Sequence, residues 1–83
     1  PKRHVERLEF LSNVEIGQIG NVIKKVNHAA MQVFNTNSYL ILQKNGAEVG
    51  QTVPHVHFHY IPRQQGEDST LKFLFNMYAS TFM

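Results

Sequence analysis

From Ser12 to Phe34 the chain reads SNVEIGQIGNVIKKVNHAAMQVF, and apolar residues recur at Ile16, Ile19, Val22, Ile23, Val26, Ala29, Ala30 and Val33. That is the spacing of one helical face, with Lys24, Lys25, Asn27 and His28 turned elsewhere. Ser12 and Glu15 stand three apart at its start, the signature of a capping box in which hydroxyl and carboxylate satisfy orphan N–H groups. The pattern predicts a helix from Asn13 to Phe34, stopped by the turn formers Asn35-Thr36-Asn37. Gly17 and Gly20 weaken its first half, each by about 1 kcal/mol relative to alanine. A helix with such a stripe has to lay it against a second layer.

The sequence that follows supplies strands. Ser38 to Gln43, SYLILQ, is short, apolar and bounded by turn formers, and is expected to be a buried strand. Asn45-Gly46 and Gly50 mark the loop after it. Val53 to Ile61 is expected to be a second strand. Alternation would place Val53, His55, His57, His59 and Ile61 on one face and Pro54, Val56, Phe58 and Tyr60 on the other. Two strands joined by so short a loop pair antiparallel. Pro54 cannot donate a ladder bond, so it belongs near the strand's start or on an edge. RQQGEDS is a polar loop, and Glu67-Asp68-Ser69 opens a last helix with Leu71, Leu74, Phe75, Tyr78 and Phe82 at helical spacing. This tail is too apolar to stand alone in water and must pack on the sheet, on a partner chain or on further protein outside these residues.

Eighty-three residues make at most one domain, and a chain this short is marginally stable without support. Cysteine is absent, which removes disulfides and thiolate metal ligands from the available supports. The formal net charge of +2 comes from scattered basic residues, a mild attraction for anions and not a nucleic-acid stripe. Apolar runs are only a few residues long, so neither a membrane span nor a signal peptide is expected. A cytoplasmic location fits the absence of cysteine. The chain opens on Pro1 without an initiator methionine, and PKRH reads like a strand end entering a turn, as in a piece of a longer protein.

Three of the five histidines fall within five positions, in PHVHFHYIPR from Pro54 to Arg63. Alternation spaces the imidazoles of His55, His57 and His59 by about 6–7 Å on one face. One reading is a merely polar, solvent-facing strand face with histidine filling in by chance, though chance seldom clusters most of a chain's histidines this way. Two chemistries account for the clustering. Histidines at alternate strand positions can chelate zinc. Alternatively, one imidazole can act as a nucleophile toward phosphorus while the others hold phosphate oxygens and fix its tautomer. The preceding loop, NGAEVGQTV, favours the second. It offers backbone N–H groups and the side chains of Gln51 and Thr52 to an anion, while the strand offers no carboxylate or thiolate to a metal.

HVHFHYI has the form His-φ-His-φ-His-φ-φ, where φ is an apolar residue, and so resembles the motif of the histidine triad (HIT) family. NGAEVGQTVPHVHFHYIPR resembles the family's glycine loop, Gly-Gln-Ser/Thr-Val and triad, and PKRHVERL resembles its Ile-Pro-Lys-x-His segment. The resemblance spans Pro1 to Arg63 and is nearest to the fragile-histidine-triad branch, which cleaves dinucleoside polyphosphates. It implies an α+β fold: an antiparallel meander with a long helix packed on the sheet, incomplete at the N-terminus. Residues 1–63 would be the C-terminal part of a HIT domain and 64–83 a loop and helical tail.

By the same resemblance, His57 would attack the α-phosphorus of a nucleotide and form a nucleotidyl-histidine, which water resolves to a nucleoside monophosphate. His55 would orient it, and His59 would bond phosphate oxygens and assist the leaving group. Gln51, Thr52, Lys44 and Asn45 would form the phosphate-binding set. Lys44 departs from the Asn or Gln frequent at its place, and either a charge contact with phosphate or a solvent-facing side chain fits it, with solvent slightly preferred. His4 matches a histidine that shares a structural zinc with the first triad histidine and two cysteines in some members; without cysteines no tight metal is expected, and no cofactor is implied. Partners would be a nucleotide substrate and a second copy in a homodimer, with no nucleic acid or membrane. The family's first helix and strands, which form much of the nucleoside pocket, have no counterpart in these residues, so low turnover is expected of the segment alone. Nucleoside phosphoramidate hydrolysis, a non-catalytic nucleotide-binding or interaction module, and a metal-binding module are the alternatives.

Overall fold

The structure, a computed structural model, describes the backbone of residues 4–82 and the side chains of residues 4–77. The expected turn at Pro1 to Arg3 and the side chains of Tyr78 and Phe82 lie outside the described residues. A 3₁₀ turn at Leu8–Phe10 leads into helix α1 (Asn13–Phe34), followed by strand β1 (Ser38–Leu42), a second 3₁₀ turn at Ala47–Val49, strand β2 (His59–Arg63) and helix α2 (Thr70–Phe82).

Helix α1 starts where the capping box requires. Glu15 N–H donates to Ser12 Oγ at 3.1 Å, and Ser12 N–H donates to Glu15 Oε1 at 2.8 Å. At the other end Asn35 adopts the left-handed conformation (φ 52°) and donates its N–H to the Met31 carbonyl. Asparagine tolerates this conformation better than most residues, so NTN stops the helix. The stop is also anchored. Thr36 Oγ1 donates to the Arg63 carbonyl at 2.6 Å, and Gln64 Nε2 donates to the Phe34 carbonyl at 2.7 Å. The end of α1 is thereby tied to the end of β2.

The two strands pair antiparallel, with Ser38 opposite Arg63, Leu40 opposite Ile61 and Leu42 opposite His59. Helix α1 crosses the face that carries Phe58 and Tyr60, where the Tyr60 hydroxyl donates to Asn27 Oδ1 at 2.7 Å and the Tyr39 ring stacks on Tyr60. Val5, Leu11 and Val56 are the buried apolar residues, with Leu8, Ile19 and Phe58 packed around them. Near the start of α2, the Arg63 guanidinium lies over the Phe73 ring, 4.6 Å from its centre, and Arg63 Nη2 donates to the Asp68 carbonyl.

The second strand is shorter at its front than the expected Val53–Ile61. Its partner β1 ends at Leu42, after which Gln43 and Asn45 turn their amides onto each other. Residues before His59 therefore meet no strand of the ladder. Val56 N–H donates to the Val5 carbonyl, in the segment ahead of α1. At Pro54 the backbone folds into a three-residue turn closed by His55 N–H donating to the Val53 carbonyl at 2.8 Å, a turn whose central residue suits the fixed φ of proline.

Candidate functional site

The turn at Pro54 divides the three histidines. The His55 ring meets the His4 ring, with centres 5.0 Å apart and Nδ1 atoms 3.1 Å apart. The His57 and His59 rings meet edge to face, 4.8 Å between centres. In place of the expected single row of three, the rings contact as two pairs, His4 with His55 and His57 with His59. The first ring departs because alternation holds only along extended backbone, and residues 53–55 bend.

His55 remains connected to His57 through its backbone. His57 Nδ1 lies 2.9 Å from the His55 carbonyl oxygen. A carbonyl only accepts, so Nδ1 carries the proton and donates. In the neutral ring Nε2 then holds the free lone pair. His57 is exposed, and His59 is partly covered. Burial holds the His59 imidazole below the ordinary histidine pKa, helped by the neighbouring His57 and then by the Lys44 ammonium. His59 is neutral near pH 7 for that reason. The two rings open on a largely apolar groove of about 350 Å³, walled by Ile19, Val22 and Val26 of α1, Ile41 of β1, and Phe58.

The residues expected to bind phosphate are placed unevenly. Lys44 is half-buried and donates from Nζ to the Gly50 carbonyl at 3.1 Å. Its side chain turns back over its own loop instead of facing solvent, because the backbone carbonyl there satisfies the ammonium. Thr52 is exposed. Gln51 is bonded at both ends of its amide: Oε1 accepts from Gly46 N–H at 2.6 Å and Nε2 donates to the Glu6 carbonyl at 2.8 Å. Asn45 Oδ1 accepts from Leu8 N–H and from Gln43 Nε2, each at 2.8 Å, while Nδ2 donates to Gln43 Oε1 at 2.6 Å. Gly46 has a φ of 103°, and a Cβ there would come within 3.2 Å of Arg7 Nη1, so this loop position demands glycine. Sequence reading missed Gln43 and Leu8 as parts of this loop's bonding. Leu8 enters through a tertiary contact across 37 positions, which no local pattern carries, while Gln43 bonds Asn45 from only two positions away.

The pair His4 and His55 provides two nitrogen ligands. A structural zinc takes four, typically including thiolates, and this chain has no cysteine. Among the described residues no cluster of three or more histidine and acidic side chains is arranged for a metal ion. Nor, among the described residues, is any helix long and apolar enough to cross a membrane.

Comparison with known proteins agrees with the fold and the motif. The family described as HIT domain matches residues 1–66, and the chain belongs to that family. It is 42% identical over 67 residues to the nitrilase and fragile histidine triad fusion protein NitFhit of Caenorhabditis elegans, covering 81% of this chain and 15% of that one. It is 38% identical over 69 residues to the asymmetrical bis(5'-nucleosyl)-tetraphosphatase of Schizosaccharomyces pombe, covering 83% of this chain and 38% of the other. The adenosine 5'-monophosphoramidase hnt1 of the same yeast is 37% identical over 67 residues, with 81% of this chain and 47% of that protein covered. The chain thus spans less than half the length of each of these relatives. The crystal structure of C. elegans NitFhit superposes with a TM-score of 0.75 at 35% identity, covering 98% of this chain and 21% of that one. The α+β architecture, with its antiparallel strands and long helix, is that of the HIT fold, of which this chain is an incomplete part. Dinucleoside polyphosphate hydrolases and a phosphoramidase are both among its relatives.

Proposed function

We propose that the chain carries the reactive portion of a nucleotide hydrolase acting on dinucleoside polyphosphates, with His57 as nucleophile. The observation that carries this reading is the bond from His57 Nδ1–H to the His55 carbonyl, which leaves the Nε2 lone pair for attack. Nε2 forms a bond to the α-phosphorus as the bond from phosphorus to the bridging oxygen breaks. The leaving nucleoside polyphosphate departs with that electron pair. Water then attacks the same phosphorus, the P–N bond breaks, its electrons return to Nε2, and a nucleoside monophosphate is released. His59, neutral near pH 7, donates an N–H to phosphate oxygens. His55 acts through its carbonyl. Thr52 and Lys44 flank the phosphates, while the amides of Gln51 and Asn45 are already engaged in bonds within the protein. Residues 1–63 form the catalytic part, and 64–83 an appended loop and helix.

The assembly is a homodimer in this reading. Helix α1 has no buried residue, and its Val22, Val26 and Val33 side chains are 59%, 43% and 75% exposed. A second copy laid on this stripe would cover it. Similarity to a phosphoramidase supports a second reading, hydrolysis of a nucleoside phosphoramidate at the same ring.

Incubation with a dinucleoside polyphosphate labelled at the α-phosphate tests the first reading. Acid-labile label is expected on the wild-type protein and none on His57→Ala. Turnover by His57→Ala at the wild-type rate would exclude His57 as nucleophile. Faster turnover of a nucleoside phosphoramidate than of the dinucleotide would favour the second reading, and nucleotide binding without turnover a non-catalytic module.

A further inference from the structure

The segment that bears His55 and His57 is not held by the sheet. Among the described residues, its one long-range backbone bond runs from Val56 N–H to the Val5 carbonyl. The aim of His57 therefore depends on where residues 5–8 lie. Those residues are also pinned by two amide side chains of the β1–β2 connection. Asn45 Oδ1 accepts from Leu8 N–H, and Gln51 Nε2 donates to the Glu6 carbonyl. Asn45 is itself locked by the reciprocal pair of bonds with Gln43, at 2.8 and 2.6 Å. Each polar atom of its amide has a partner inside the protein.

We propose that Asn45 is a positioning residue for His57 and not a phosphate ligand: its Oδ1 fixes the Leu8 amide and, through Val5 and Val56, the backbone that presents the His57 ring. The proposal rests on the reading of His57 as nucleophile and adds that the loop facing the triad works on its backbone. A phosphate ligand at this place would offer Nδ2–H to an anion. Here Nδ2 is bonded to Gln43, and the atom on which the geometry turns is an acceptor.

Asparagine and aspartate separate the two roles, because aspartate keeps the acceptor and adds a negative charge. Asn45→Ala is expected to lower kcat by about tenfold with KM within about twofold. Asn45→Asp is expected to restore kcat to within about threefold of wild type, the carboxylate accepting from Leu8 N–H and Gln43 Nε2. A phosphate ligand predicts the reverse order, with aspartate repelling the substrate and raising KM more than alanine does. That order would overturn the proposal. The Asn45→Asp comparison with wild type decides even if Asn45→Ala does not fold.

If the wild-type chain turns over no nucleotide, the function proposed above fails and the positioning role is read from the protein itself. Exchange of the Leu8 and Val56 amides should quicken in Asn45→Ala, and the ¹⁵N signature of the Nδ1–H tautomer at His57 should be lost. Both should be kept in Asn45→Asp. Unchanged exchange and tautomer in Asn45→Ala would sink the proposal independently of any assay.

Discussion

His57 and His59 touch edge to face, yet their surroundings act on them differently. A backbone carbonyl fixes the tautomer of His57, while partial burial, then His57, then Lys44 lower the pKa of His59. With the folded-state pKa depressed, the neutral ring is favoured in the fold. Its contribution to stability is fully present above the ordinary histidine value and is lost as pH falls through the lowered one. Replacing Lys44 by methionine removes the smallest of the three causes. The His59 titration followed by NMR should move upward in Lys44→Met yet stay below the ordinary value, because burial persists. An unmoved midpoint would mean that the ammonium does not reach the ring. The alternation of HVHFHYI made His57 and His59 legible as neighbours. Sending the His55 ring to His4 takes a turn at Pro54 and a partner 51 positions away, and neither is written in the spacing.

At the scale of elements, α1 follows its sequence closely. The capping box, the helical span Asn13–Phe34 and the stop at Asn35 form where the pattern put them, because each rests on contacts within a few residues. Ser12→Ala should cost about 1 kcal/mol of stability, measured by urea unfolding. Gly17 and Gly20 sit inside this helix with nothing within 4 Å of where a Cβ would stand, so no close packing requires glycine at either. Gly17→Ala should therefore stabilise the fold by about 1 kcal/mol; a loss instead would point to a neighbour on that face, such as a second copy. β2 follows its sequence less closely at the front. Apolar-polar alternation marks which residues can be a strand, but the ladder ends where a partner ends, and β1 stops at Leu42. The bonds of Asn45 and Gln51 were illegible for the same reason, since they join the connection to residues 37 and 45 positions earlier.

As a whole the molecule is a thin slab, 37 × 33 × 14 Å, with a radius of gyration of 14.3 Å. A folded domain of this length is expected near about 12 Å. Among the described residues three apolar ones are buried, while Leu71 and Phe75 of α2 and Val22 and Val33 of α1 are more than half exposed. Chain entropy is offset mainly by apolar burial, and a slab this thin has little of it. Support from a second copy makes stability depend on protein concentration. The melting temperature should rise across a hundredfold increase in concentration, with the sedimentation coefficient shifting from monomer to dimer over the same range. A melting temperature independent of concentration, with a monomer throughout, would remove the homodimer from the functional reading.

That Val56 is linked by backbone to Val5, alone among the described residues, has a consequence for how the site can change. A histidine ring carried on a stretch outside the ladder can be re-aimed by exchanging residues far from it, with neither the long helix nor the strand pairing disturbed. Substitutions in the few positions leading into the first helix would then change the direction of that ring without touching the histidine itself.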